Sequence, residues 1–260
     1  MAGILFAISG KGGSGKTTLA AMMVRELIRI GKKPVLAVDA DPNATLGMAL
    51  GASYPGTIAD LRDEMMEVAK KPSEVPKDRL MDQWLAELVS EQVGFDLLTM
   101  GRPEGPNCYC YVNGLLRRYL KLLRDNYPCV VVDCEAGMEH LSRLTVDDVN
   151  TLVLVAEPTG VGLATAKRIA HLSEKLPIRV GQRILAVNKA RESATNLDLA
   201  QQFADLPALR VGVQVPFDED LADRSYRGEP IDENAGLAAR QAISELTREC
   251  LAPASGPRKE

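Results

Sequence analysis

The feature that most constrains this chain is a glycine-rich loop set directly after an apolar run. Ile4-Leu5-Phe6-Ala7-Ile8-Ser9 leads into Gly10-Lys11-Gly12-Gly13-Ser14-Gly15-Lys16-Thr17-Thr18. Gly10, Gly15, Lys16 and Thr17 complete the pattern G-x-x-x-x-G-K-[ST]. Glycines let the backbone curl so that successive N–H groups face inward and make a concave seat for an anion. A helix opening at Lys16 adds the partial positive charge of its N-terminus. Lys16 then sets an ammonium against the β and γ phosphates of a nucleotide, and the Thr17 hydroxyl reaches Mg²⁺. A plain glycine turn is the alternative, and the strand before and helix after argue against it.

The rest of the chain repeats that strand-then-helix rhythm. Short apolar runs at 4–8, 34–38, 95–100, 129–133, 151–156, 183–188 and 209–215 read as strands. Several lack polar alternation, as strands covered on both faces do. Helical patterns lie between them at 16–30, 58–70, 79–93, 111–125, 161–175, 197–204 and 236–250. The alternation predicts an α/β fold: a doubly wound, mostly parallel sheet with helices on both faces. Residues 1–251 are expected to form one domain, with 70–78 joining two helices of an insertion. Residues 252–260, rich in Pro, Gly and charge, are expected to be a disordered tail.

Composition narrows the partners. A net charge of −4 and no dense Lys/Arg block argue against nucleic acid. No run approaches the ~18 apolar residues of a membrane span. The first apolar run lacks the charged start of a signal peptide. Five cysteines are too few for a disulfide scaffold, so a cytoplasmic protein is expected.

The second loop lysine, Lys11, marks a family. Lys11-Gly12-Gly13-x-Gly15-Lys16-Thr17 resembles the deviant phosphate loop of the MinD/ParA/nitrogenase-iron-protein class of P-loop ATPases. The resemblance implies the P-loop NTPase fold and a homodimer in which the early lysine reaches the partner's nucleotide. There an extra cation would stabilise charge spreading over the γ-phosphoryl oxygens. A solvated lysine is the plain alternative.

The same resemblance places the carboxylates. Val38-Asp39-Ala40-Asp41-Pro42 looks like a switch I segment, with Asp41 orienting the attacking water and Asp39 in support; an ordinary Asp-Pro turn is the rival. Val130-Val131-Val132-Asp133 looks like a Walker B strand, whose carboxylate meets Mg²⁺ directly or through water. Asp133-Cys134-Glu135-Ala136-Gly137 follows as a switch II, with Gly137 free to move. Cys134 reads as a small buried thiol. In Val187-Asn188-Lys189-Ala190-Arg191, Arg191 stands where GTPases carry the aspartate that reads guanine. ATP/ADP is therefore expected, with Asn188 bonding adenine, as the resemblance implies, and Pro216 and Phe217 walling the base.

Cys108-Tyr109-Cys110 separates the branches of the class. In an extended segment alternate residues project to one side, so two thiolates there could grip one soft metal, Ni²⁺ or Zn²⁺. A tetrahedral site wants four ligands, and a two-fold dimer would supply them. Together with Lys11, Asn43-Ala44-Thr45-Leu46-Gly47 and Asp133-x-Glu135-Ala136-Gly137-Met138-Glu139-His140-Leu141, the pair resembles the CooC-type nickel-insertion ATPases. That likeness implies carbon monoxide dehydrogenase as the client. Two idle cysteines are the plain alternative. A [4Fe–4S] electron-transfer protein using Cys108 and Cys134, or a positional ATPase needing neither, are the rival functions.

Overall fold

The computed structural model describes residues 3–61, 83–102, 108–136, 148–175, 178–191 and 198–253, and over 108–113 the backbone alone. Its central strands are buried at almost every position. β1 (Ile4–Gly10) is buried from its second residue, and β2 (Val35–Ala40) throughout. Such strands need a covering layer on each face. After β3 (Ser90–Glu91) and β4 (Phe95–Thr99), β5 (Cys129–Cys134) is again wholly buried. β6 (Asp148–Ala156), β7 (Arg179–Ala190) and β8 (Leu209–Pro216) complete one eight-stranded sheet. Its order is β3-β4-β2-β5-β1-β6-β7-β8. Every neighbouring pair is parallel except β3 with β4.

The covering layers follow from residue parity along the strands. On one face Phe6, Ala37, Val131 and Val153 pack with Leu19, Met23 and Leu27 of α1 (Lys16–Arg29) and with Ile243 and Leu246 near the C-terminus. On the other, Val38, Val132, Leu152 and Leu154 pack with Leu116 and Leu120 of α3 (Cys108–Leu123) and Ile169 of α4 (Gly160–Lys175). Each such buried Leu or Ile contributes about 1.5–3 kcal/mol. Between α1 and α3 lies the short α2 (Leu46–Leu50). The later helices are α5 (Leu199–Gln202), α6 (Glu219–Arg227) and α7 (Leu237–Leu251), the last carrying Ile243 and Leu246.

The predicted fold class is the observed one, and the boundaries differ in instructive places. Ser90–Glu91, expected inside a helix over 79–93, form an antiparallel edge strand on β4. More consequential is α3, which begins at Cys108 rather than 111. The extended segment expected for Cys108-Tyr109-Cys110 is therefore helical. Residues advance about 100° each in a helix, so positions 108 and 110 sit roughly 200° apart around the axis. Spacing alone therefore does not set both thiols on one side. The segment 70–78, Gly137, Met138, Glu139 and His140, and residues 254–260 of the expected tail lie outside the described residues.

Parallel strands bring their C-terminal ends to one edge, where α/β sheets place their sites. Here Thr99, Asp39, Asp133 and Ile8 fall in one register row across β4, β2, β5 and β1. The glycine loop leaves β1 at that edge.

Candidate nucleotide site

Gly10, Gly13 and Gly15 are fixed by close approach or by backbone conformation. A Cβ on Gly10 would run into the Val155 carbonyl oxygen of neighbouring β6. Gly13 and Gly15 take φ of 78° and 91°, a region costly for any residue with a Cβ. Gly15 also leaves room that the Asn188 amide fills. Asn188, buried at the end of β7, donates from Nδ2 to the Ser14 carbonyl at 2.8 Å. Lys16 is 7% exposed, and its Nζ donates to the Lys11 carbonyl at 3.3 Å. Gly12 and Lys11 are exposed at the loop's outer edge, while Thr18 continues α1.

At the foot of the loop the Thr17 hydroxyl donates to Asp133 Oδ2 at 2.6 Å. Asp133 is fully buried, and among the described residues its Oδ1 has no hydrogen-bond partner. Burial pushes the carboxyl up to about 7, with Thr17 and Lys16 pulling back. A buried carboxylate oxygen without a donor is costly, and a hard cation would satisfy it. The pair Thr17 and Asp133 thus fits Mg²⁺, which would supply positive charge beside the phosphates.

Asp39 lies next to Asp133 in register, and burial, then the Asp133 charge, pushes it up to about 8. It ties down the following segment: Leu46 N donates to Oδ2 at 2.7 Å and Asp41 N to Oδ1 at 3.2 Å. Asp41 in turn accepts at Oδ1 from Asn43 N (2.9 Å) and Asn43 Nδ2 (2.8 Å). It is partly exposed, and its charge is felt at Asp133. The two aspartates, drawn from the sequence as one segment, therefore divide the work. Asp39 anchors the backbone, and Asp41, partly exposed, holds Asn43.

The expected base end gathers at the tips of β7 and β8. Phe217 N, directly after Pro216, donates to the Ala190 carbonyl at 2.8 Å. The Arg191 guanidinium lies over the Phe217 ring, 4.8 Å from its centre, a cation–π contact. A cavity of about 600 Å³ opens beside it, lined by Phe217, Asp218, Asn234 and Leu237. Asp218 caps both α6 and α7, accepting from Leu221 N (3.1 Å) and Ala238 N (2.9 Å).

Two contacts escaped the sequence. Lys189 Nζ donates to the Gly13 carbonyl at 2.6 Å and to Glu157 Oε1 at 2.8 Å. No motif marks Glu157, and the turn that aims Lys189 is a backbone property. Cys134 is fully buried, as its plain reading required; its Sγ lies 3.7 Å from the Val132 carbonyl, and burial raises its pKa.

Fold and site together define a P-loop ATPase. The chain belongs to the family of the CobQ/CobB/MinD/ParA nucleotide binding domain, which matches residues 5–231. Among its relatives is an ATP-binding protein of Methanocaldococcus jannaschii, 33% identical over 88% of this chain and 90% of that protein. The carbon monoxide dehydrogenase accessory protein CooC of Rhodospirillum rubrum is 34% identical over 66% of this chain and 70% of its own. The septum site-determining protein MinD of Pyrococcus horikoshii, solved with Mg-ADP, superposes with a TM-score of 0.69 at 22% identity, covering 96% of each chain. At that identity it speaks to the fold. Among the described residues no helix is long and apolar enough to cross a membrane.

Proposed function

We propose that this chain hydrolyses Mg²⁺–ATP as a homodimer and uses the cycle to assist nickel insertion into the active-site cluster of carbon monoxide dehydrogenase. The observation that carries the ATPase reading is the Thr17–Asp133 pair under the glycine loop, with Asp133 Oδ1 buried and without a partner among the described residues. Lys16 and the loop N–H groups hold the β and γ phosphates and stabilise charge on the transferring γ-phosphoryl. Asp41 orients the attacking water, Lys11 reaches the nucleotide of the second protomer, and Asn188, Pro216 and Phe217 receive adenine. Thr17 and Asp133 would hold Mg²⁺, which would supply positive charge to the phosphates.

The metal half rests on the relationship to CooC and on Cys108-x-Cys110. Ni²⁺ or Zn²⁺ here is cargo, held by Cys108 and Cys110 of two chains. Because the pair opens a helix, the dimer rather than an extended strand must bring the four thiols together. The test is Ni²⁺ and Zn²⁺ titration of wild type, Cys108→Ser and Cys110→Ser, with stoichiometry per chain. One metal per two chains, lost in either variant, supports the reading; one per chain, or binding that survives both substitutions, refutes it. The [4Fe–4S] alternative draws no support from Cys134, whose thiol is in the core. A positional ATPase is the second reading, supported by sequence relatives named septum site-determining protein MinD, one of them 26% identical over 88% of this chain, and it predicts that both serine variants are functionally silent.

A further inference from the structure

Two consecutive side chains at the end of β7 hold two consecutive carbonyls of the phosphate loop. Asn188 takes the Ser14 carbonyl and Lys189 the Gly13 carbonyl. In a regular strand neighbouring side chains leave on opposite faces, so this arrangement needs a break in the strand. The break is present: Lys189 has φ 58°, left-handed and not glycine. Around it the pairing of β7 with β8 shifts register between Val187 and Ala190. Residues held in that region persist where the surroundings over-determine them, and they gather at functional sites. Lys189 is over-determined by two acceptors, Gly13 O and Glu157 Oε1.

The loop's chemistry explains why such a brace is useful. A loop whose N–H groups face a phosphate turns its carbonyls outward, where each needs a donor. The Lys11 carbonyl has one in Ser14 N. Gly13 and Ser14 find theirs on β7. An unbraced glycine loop is conformationally free, and a ligand that must order it binds more weakly.

We propose that Lys189, oriented by Glu157 at the end of β6, is a positioning residue that holds the loop in its phosphate-receiving shape before nucleotide arrives. Its contacts are the Gly13 carbonyl and the Glu157 carboxylate. With Asn188 it joins the base end of the site to the phosphate end, so the two halves move as one body. The proposal rests on the phosphate-loop reading above.

The test compares Lys189→Met, Lys189→Arg and Glu157→Gln with wild type, using ADP binding, steady-state ATP hydrolysis and hydrogen exchange without nucleotide. A hydrogen bond from a charged donor is of a size that shifts an equilibrium by about tenfold or more. Lys189→Met is expected to weaken ADP binding about tenfold and raise KM for ATP similarly. The kcat should stay within about twofold, because a loop held in shape serves ground and transition states alike. Amides of residues 10–15 should exchange faster while those of β5 do not change. Lys189→Arg restores most of the affinity. Glu157→Gln loses less than Lys189→Met and adds nothing to it in the double variant. A folded Lys189→Met protein that binds ADP and exchanges as wild type does overturns the proposal, as does failure of Lys189→Arg to recover affinity. Lys16→Ala separates the two levels. If it keeps ADP binding, the phosphate-loop reading itself fails; if it loses binding while Lys189→Met does not, only the brace fails.

Discussion

Asp133→Asn should make the nucleotide-free protein more stable relative to wild type as pH rises. In wild type the carboxyl is fully buried, with one oxygen on Thr17 and the other without a partner among the described residues. Its pKa rises from an ordinary 3.8 to about 7, so the folded state binds a proton that the unfolded chain has released. Stability conferred by that proton is fully present below about pH 4 and is lost as pH climbs through about 7. At about 1.4 kcal/mol per pKa unit, the loss reaches about 4 kcal/mol. Asn cannot ionise, yet its Oδ1 still accepts from Thr17, so the variant escapes that loss. The measurement is urea unfolding of both proteins at pH 5, 6, 7 and 8 without Mg²⁺ or nucleotide. The difference in unfolding free energy should move toward the variant by about 2–4 kcal/mol across that range. Mg²⁺–ADP, which gives the ionised carboxylate a partner, should stabilise wild type at pH 8 and the variant much less. Parallel pH profiles would refute the reasoning, for they would mean that the Asp133 charge is already compensated without a cation.

Other expectations concern the rest of the site. Lys16→Ala should abolish ATP turnover, while Asp41→Ala should bind ATP and hydrolyse it at least about a hundredfold more slowly; normal turnover by Asp41→Ala excludes it as the water-orienting group. Gly15→Ala meets both a φ of 91° and the Asn188 amide. It should cost the loop about 1–2 kcal/mol from backbone alone and remove nucleotide binding from a chain that calorimetry still finds folded. Light scattering with ADP and with a non-hydrolysable ATP analogue should show an ATP-dependent dimer that Lys11→Ala weakens. Equal monomer content in both nucleotides removes the cross-dimer role.

The central strands and the loop were legible because their signals are local. β2, β4 and β5 are apolar runs bounded by turns, and the observed limits differ from the expected ones by a residue or two. The two motifs were each read as facing one cation, and the structure sets Thr17 and Asp133 side by side at one sheet edge, joined by a hydrogen bond the motifs did not announce. Elsewhere the pattern misled. Helix α6 buries none of its residues, so an apolar period could not find it. Its ends were nevertheless written in Asp218 as N-cap, Glu219 and Asp220 in the first turn, Arg224 and Arg227 in the last, and Gly228 after it. Ser90–Glu91 pair with β4 through backbone alone and carry no strand propensity. Lys189 was hidden for a different reason. Its role depends on a left-handed backbone that nothing in Asn-Lys-Ala announces.

The place of β1 in the sheet has a consequence for the order in which this protein comes into being. Ile4 pairs with Cys129 on one side and Phe6 with Thr151 on the other. During synthesis the first strand, with its glycine loop, leaves the ribosome long before either neighbour exists. One edge waits until β5 ends at residue 134 and the other until the chain has grown past residue 156, where β6 ends. Non-local parallel pairing of this kind is slow to form and exposed to misassociation meanwhile. The brace from Asn188 and Lys189 arrives later still. Nucleotide can therefore contribute no binding energy to early folding, and it rewards only a chain whose last central strands are already in place.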